Sequence, residues 1–300
     1  MVRYIATTGF FDGVHRGHIT VLERLLEVGK SFNLPVAVIT FWPHPRTVLN
    51  STVGKFGLLS SIDEKKRRIE KTGINRIIVI PFTEEFSKVS PEQFIVNELV
   101  EKYGIAGLCI GYDHHVGRNG AAGYDEIKKI CNRTGVYCER IKPFILPDGI
   151  TASSEKIRRY ICENRIEEAN SMLGYSYSLT GTVVHGNRFG RTIGFPTANI
   201  AVNDPFKIIP ADGVYAVKVK IDNYSEMFSG MLFAGTKMHA SEKTLEVHIF
   251  DFEQDIYAKK VEVHFEKFVR KNLKFETGSE IKIQLEQDRY DIKKLQSLKN

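Results

Sequence analysis

An apolar triplet, Tyr4, Ile5 and Ala6, a glycine-punctuated turn over residues 9–18 (GFFDGVHRGH) and a helical apolar repeat at Val21, Leu22, Leu25 and Leu26 follow one another without a gap. A strand that passes through a glycine turn straight into a helix predicts the opening unit of an α/β fold, at the place where such folds bind phosphates. Gly9, Gly13 and Gly17 let backbone N–H groups come close to a ligand, and the helix N-terminus adds partial positive charge. His15 and His18 are three apart, so within a first helical turn they face one way. Two imidazoles beside a phosphate can stabilise the charge that builds up when an α-phosphate is attacked. Taken out of that context, the same residues are only a glycine turn with two solvated histidines.

The string GxFDGVHxGH resembles the signature of the nucleotidyltransferase superfamily, and its FDGVH form is similar to the adenylyltransferase half of bacterial FAD synthetases. The resemblance implies ATP and flavin ligands. It assigns Gly9, Phe11, Asp12, Gly13 and Gly17 to the nucleotide and flavin site and gives His15 and His18 catalytic roles.

At about 150 residues per domain, 300 residues predict two domains. Hydrophobic content of 42% lets each half bury a core. No apolar run approaches the roughly 18 residues of a membrane span, and the chain starts with strand-like sequence instead of a secretory signal, so a cytoplasmic protein without a membrane partner is expected. Cys109, Cys131, Cys138 and Cys162 lack CxxC spacing and read as reduced, packed thiols. The net charge of +6 is spread along the chain, which suits small polyanionic substrates; a nucleic-acid partner is not expected, and oligomeric state is left open.

Strand and helix patterns alternate through the first half, as in a parallel sheet. Residues 36–41 read as a buried strand stopped by WPHP; TFxPHP is similar to a stretch that accompanies FDGVH in the same family. His44 there either contacts ATP phosphates or is an exposed residue in a rigid turn. Ser61 and Glu64 predict a capping box opening a basic helix over residues 65–72, whose charges read as a solvated face. Ser90 and Pro91 predict a second helix start. Residues 75–81, 105–110 and 136–141 supply further strands. After the second of these, GYDHHVGRNG is similar to the family's GxDFxFG loop, which the resemblance assigns to flavin and nucleotide binding through Asp113 and Gly117. His114 stands in place of the usual Phe, and Ala121 and Ala122 replace a more polar stretch. TASSEKIR resembles the superfamily's SSTxIR motif, with Glu155 where Ser or Thr is usual. Ser153 and Ser154 can cap the helix or bind a triphosphate, and Arg158 can neutralise a leaving pyrophosphate.

Near Gly174 the helical pattern gives way to period-two alternation, broken by Gly, Pro and Asn up to residue 274, as in an antiparallel barrel. Tyr215, Val217, Val219 and Ile221 share one face. The boundary is therefore set between residues 1–174 and 175–300. The stretch 181–199 is a glycine-rich loop carrying Arg188 and Arg191, followed by a Pro-fixed turn and two neutral oxygen ligands. Thr197 and Asn199 are two apart on an extended segment, so both oxygens can meet one hard cation such as Mg²⁺. GxxxGRxxGFPTAN looks like the ATP and metal signature of riboflavin kinase, which adds Gly186, Gly190, Arg191, Gly194 and Pro196 to the site. In LEVHIFDF, Leu245, Val247 and Ile249 are expected to pack inward, leaving Glu246 on the other face. It is either a surface residue or the carboxylate that phosphoryl transfer to a hydroxyl requires. This stretch resembles the kinase's, whose Glu is the proposed base. Arg270 matches a family Arg, while Phe233 and Asn272 depart from the pattern. Ile281, Leu285, Ile292 and Leu295 mark a closing helix.

The expectation is a doubly wound nucleotidyltransferase domain followed by a Greek-key kinase barrel with a C-terminal helix, converting riboflavin to FMN and FMN to FAD. The alternatives are one surviving activity, adenylyl transfer in preference, or a flavin-sensing module without turnover.

Overall fold

Five apolar runs become the strands β1 (Tyr4–Thr8), β2 (Val36–Trp42), β3 (Ile77–Pro81), β4 (Ile105–Gly111) and β5 (Tyr137–Ile141), all parallel, in the order β3-β2-β1-β4-β5. Near-continuous hydrophobic runs are what a sheet covered on both faces demands. The computed structural model describes residues 2–49, 57–117, 120–187, 189–236 and 243–297, in two compact units, Met1–Ser154 and Glu155–Asn300.

In the first unit the covering helices are α1 (Arg16–Phe32), α2 (Pro45–Leu49), α3 (Ile62–Glu70), α4 (Pro91–Gln93), which runs on with π-helical geometry over Phe94–Lys102, and α5 (Tyr124–Thr134). Leu22, Leu25 and Ile69 pack with Ile5 and Val38 on one face. Phe94, Leu99, Ile127 and Ile130 pack with Ala6, Ile39 and Leu108 on the other. Strand order reverses between β1 and β4, and ligands of open α/β sheets bind beyond the strand ends at such a switch point. The expected capping boxes form at Ser61/Glu64 and Ser90/Gln93. The basic run that follows the first is corrected: Lys65 is not part of a solvated face but turns inward and is 2% exposed. Counting charges along a helix cannot reveal this, because Lys65 shares a face with Ile69, which is fully buried.

The second unit opens with α6 (Ser154–Cys162), whose first residue still counts with the sheet unit, and α7 (Ile166–Leu173). Asn170 Nδ2 donates to Phe265 O at 2.8 Å, and Ala211 N donates to Ile161 O at 3.4 Å, so both helices bond to the barrel segment. Gly174, at φ 82°, ends the helical stretch. Six antiparallel strands, β6 (Ser178–Val184), β7 (Ala198–Val202), β8 (Gly213–Ile221), β9 (Met227–Thr236), β10 (Lys243–Ile249) and β11 (Lys260–Arg270), close a Greek-key barrel ordered β10-β7-β6-β11-β8-β9, with the short α8 (Phe189–Thr192) between β6 and β7. Tyr215, Val217, Val219 and Ile221 are buried as the alternation predicts, while Lys218 and Lys220 are exposed. Tyr215 meets Phe265 edge-on at 5.3 Å in the interior. The closing helix α9 (Gly278–Ser297) lays Ile292 and Leu285 on an outer cluster of Phe195, Ala216, Met231 and Phe250.

All four cysteines are free: Cys109 and Cys131 are buried and Cys138 is half-buried, but Cys162 at the end of α6 is exposed instead of packed. No helix among the described residues is long and apolar enough to cross a membrane.

Candidate active sites

The turn after β1 departs from ordinary backbone. Phe11 (φ 50°), Gly13 (φ 81°) and Val14 (φ 39°) are left-handed, and two of the three carry a Cβ, which stores strain that neighbours must hold in place. Asp12 supplies the brace. Its carboxylate, 3% exposed, accepts Leu59 N at 3.0 Å and Ser60 N at 3.0 Å, and Gly13 N donates to Ser60 Oγ at 3.0 Å. Ser154 Oγ donates to Asp12 O at 2.9 Å. Asp12, expected among ligand contacts, and Ser154, expected at a triphosphate, thus both anchor the turn. Ser60 had no sequence signal of its own.

His15 is the residue before α1 and His18 lies in its first turn; their rings stack at 3.7 Å between centroids and 20° between planes. Phe11 closes on His18 at 5.1 Å, and Gly17 lies beneath the His15 ring. Burial first, then the neighbouring His15 and Lys65, push the His18 pKa well below the usual histidine range, so it is neutral at pH 7. Its Nδ1 is buried without a hydrogen-bond partner among the described residues.

Beside the turn lies a cleft of about 980 Å³ lined by Phe10, Phe41, Phe82, Phe86, Phe94 and His114, among others. Phe10 and Phe41 sit 5.4 Å apart, and Phe41 and Phe86 5.7 Å apart. His44 stands against Phe10 at 5.0 Å and accepts Arg46 N on Nδ1 at 3.2 Å; it is buried, not an exposed turn residue. His114 is hydrogen-bonded through Nε2 to Thr8 Oγ1 at 2.7 Å, and burial pushes its pKa down to about 4. Gly117, at φ 78°, lies so close to Pro91 that a Cβ would come within 2.5 Å of its ring. Asp113 is exposed on the same loop, its carbonyl accepting His115 Nδ1 at 2.9 Å. Ser153 precedes α6 and Arg158 lies one turn along it; both are half-buried.

In the barrel, Glu246 on β10 faces Asn199 on β7 in register, and Thr197 Oγ1 donates to Glu246 Oε2 at 3.3 Å. Three residues singled out from two separate motifs therefore meet. Leu245, Val247 and Ile249 pack inward and Glu246 is half-buried, as the alternation predicts. The loop glycines are demanded by contact: a Cβ on Gly186 would lie 2.1 Å from Asn199 Nδ2, and one on Gly190 2.2 Å from Phe195 O. Gly194 turns at φ 85°. His248, which no motif flagged, donates from Nδ1 to Pro196 O at 2.8 Å and so fixes the turn that carries Thr197; burial lowers its pKa. A cleft of about 540 Å³ beside these residues is lined by Arg191, Pro196, Thr197, Glu253 and Tyr257, among others. The Tyr257 ring lies 4.0 Å from that of His185. Arg188 lies outside the described residues. Arg270 is engaged elsewhere: its Nε and Nη2 donate to Asp288 at 2.9 and 2.7 Å, and Asp288 is 2% exposed. Asn272 Nδ2 donates to Ala234 O at 3.1 Å, and Phe233 is exposed.

Fold and sites together define a nucleotidyltransferase-type α/β unit followed by a kinase-type β-barrel. Residues 2–156 match the FAD synthetase family and residues 173–296 the riboflavin kinase family. A protein of Listeria monocytogenes named bifunctional riboflavin kinase/FMN adenylyltransferase is 36% identical over 97% of this chain and 91% of its own length. A protein of the same name from Haemophilus influenzae is 36% identical over 94% and 91%. A crystal structure of a protein from Streptococcus pneumoniae described as a macrolide-efflux protein superposes with a TM-score of 0.89 at 28% identity, covering 97% of this chain and 94% of that one. The chain belongs to the family of bifunctional riboflavin kinase/FMN adenylyltransferases.

Proposed function

We propose that the chain makes FAD from riboflavin in two ATP-dependent steps, phosphorylating in the barrel and adenylylating in the α/β unit, as a cytoplasmic enzyme whose partners are small molecules. The observation that carries this reading is the meeting of Thr197, Asn199 and Glu246 across β7 and β10, since a carboxylate held beside neutral oxygen ligands is what transfer to a hydroxyl requires. The functional divide is placed at residue 174, so that Arg158 serves the first half.

In the barrel, Glu246 orients the riboflavin 5′-hydroxyl and takes its proton as the oxygen attacks the γ-phosphorus of ATP, with ADP leaving. Thr197 and Asn199 would hold Mg²⁺. Their neutral oxygens beside one carboxylate suit a hard cation that shares its shell with phosphates. When bound, the ion supplies neutralisation of charge on the phosphate oxygens. Arg191 at the mouth of the cleft binds the nucleotide. Arg270, tied to Asp288, fixes the end of β11 against α9.

In the α/β unit, an oxygen of the FMN phosphate attacks the α-phosphorus of a second ATP, and pyrophosphate leaves. The N-terminus of α1 and the His15–His18 pair stabilise the charge that develops, and Arg158 neutralises the departing pyrophosphate. The apolar, phenyl-lined cleft takes the isoalloxazine ring. A timed incubation with riboflavin, ATP and Mg²⁺, resolved by chromatography beside a reaction started from FMN, tests the reading. FMN followed by FAD is expected. FAD only from supplied FMN would leave adenylyl transfer alone, and tight flavin binding without product would favour a sensing module.

A further inference from the structure

A lysine buried to 2% exposure normally lies against a carboxylate, because an unpaired ammonium loses its hydration without compensation. Lys65 does not. Its single hydrogen bond among the described residues is a long one, Nζ to Thr40 Oγ1 at 3.4 Å, and it sits 5.8 Å from the centre of the Trp42 ring. The carboxylates nearest in the chain and the fold are committed to backbone: Glu64 accepts Ser61 N at 3.0 Å, and Asp12 accepts Leu59 N and Ser60 N. From α1, the neutral His18 feels the Lys65 charge, with His15 stacked behind it; on α3 itself Lys66 and Arg67 follow at once, and Arg68, three positions on, is the basic residue on the same face. Thr40 passes the contact on by donating to Phe10 O at 3.3 Å, so Lys65 bears on the backbone of the glycine turn through one hydroxyl.

We propose that Lys65 is a positioning residue of the adenylyl-transfer centre, holding the turn through Thr40 and keeping a buried positive charge whose counter-ion is the phosphate of the bound nucleotide. This rests on the reading of that centre given above. Burial alone pushes the Lys65 pKa down to about 8, with Asp12 opposing. An arriving polyanion favours the charged form, so the pKa rises toward its ordinary value and a proton is taken up.

Calorimetric titration with ATP in the absence of flavin, at pH 8 in two buffers of different ionisation enthalpy, reads that proton. The unaltered protein is expected to take up about half a proton at this site. Lys65→Arg, charged at every accessible pH, and Lys65→Met, never charged, are expected to lose this uptake. FAD formation from supplied FMN should fall about 10²-fold in Lys65→Met and recover in part in Lys65→Arg, while FMN formation from riboflavin holds in both. The Lys65→Arg protein should also lose the rise in KM for ATP above pH 8. Uptake unchanged in the variants, or none in the unaltered protein, overturns the proposal. If the unaltered protein makes no FAD from FMN, the functional reading fails, but the proton difference between it and Lys65→Arg still decides the role of Lys65. Should Lys65→Met not fold, Lys65→Arg carries the test.

Discussion

The two centres prepare for phosphate with opposite materials. Around residues 9–18 Asp12 and His15 are buried and His18 half-buried, and positive charge comes from the chain itself, through Lys65 and the N-terminus of α1. In the barrel, Thr197, Asn199 and Glu246 are half-buried and offer oxygens to a cation that arrives with the nucleotide, and the chain's own charge there is Arg191, exposed at the cleft. A centre that keeps its cation buried holds it at a cost in stability; one that lets it arrive with substrate needs only the correct register of two strands. The α/β centre is therefore expected to be the more sensitive to pH and the barrel centre the more sensitive to packing.

Separate centres give the largest expected effects. Replacing His15 and His18 together by Ala should lower FAD formation from supplied FMN by 10² or more, roughly, while riboflavin phosphorylation is spared. Glu246→Gln should do the reverse, with phosphorylation down about 10²- to 10⁴-fold. Chromatography of both reactions reads the pattern, and equal loss of both activities in either variant would break the comparison. Packing in the barrel comes next. Asp288→Ala leaves the Arg270 guanidinium facing an empty partner and should destabilise the barrel by about 3 kcal/mol in urea unfolding, whereas replacing both by apolar residues should restore most of it.

Acid sharpens the contrast further. His18 and His114 have pKa values lowered by burial, so the unfolded chain binds more protons than the folded one below the ordinary histidine pKa. Stability of the α/β unit should then fall as pH drops from about 6.5 toward 4, by up to about 1.4 kcal/mol per pH unit for each group. Trp42, the only tryptophan, reports this unit by fluorescence, and His114→Phe should flatten the slope. Among the described residues of the barrel, His248 is such a group. The smallest effect is at Ala258, left-handed at φ 61°, where Gly should stabilise the barrel by roughly 0.5 kcal/mol on thermal unfolding.

Much of this was legible because it is local. The β1–α1 turn, the capping boxes and the alternation of β8 and β10 each arise within a dozen residues, where periodicity and capping chemistry act directly. Thr197 with Asn199, and Glu246, could be named because each motif lies on one strand and alternation dictates the face. What escaped is set by partners far along the chain. The bracing role of Asp12 depends on the segment at Leu59 and Ser60, 47 and 48 positions on. The tie of Arg270 to Asp288 exists only once α9 folds back onto the barrel. Lys65 hid in a run of charges, because one inward position on an amphipathic helix looks in sequence like any outward one, and His248 stood on the polar side of an alternating strand yet is covered by Pro196.

The pairing of β7 with β10 has a consequence for how the barrel acquires activity. Thr197 and Glu246 are 49 positions apart and touch only across that seam. A refolding chain can therefore complete the β8–β9–β10 meander, with native-like circular dichroism, and remain inert as a phosphotransferase until the ring shuts. Turnover of riboflavin becomes a clock for ring closure, reading one topological event that spectroscopy averages away.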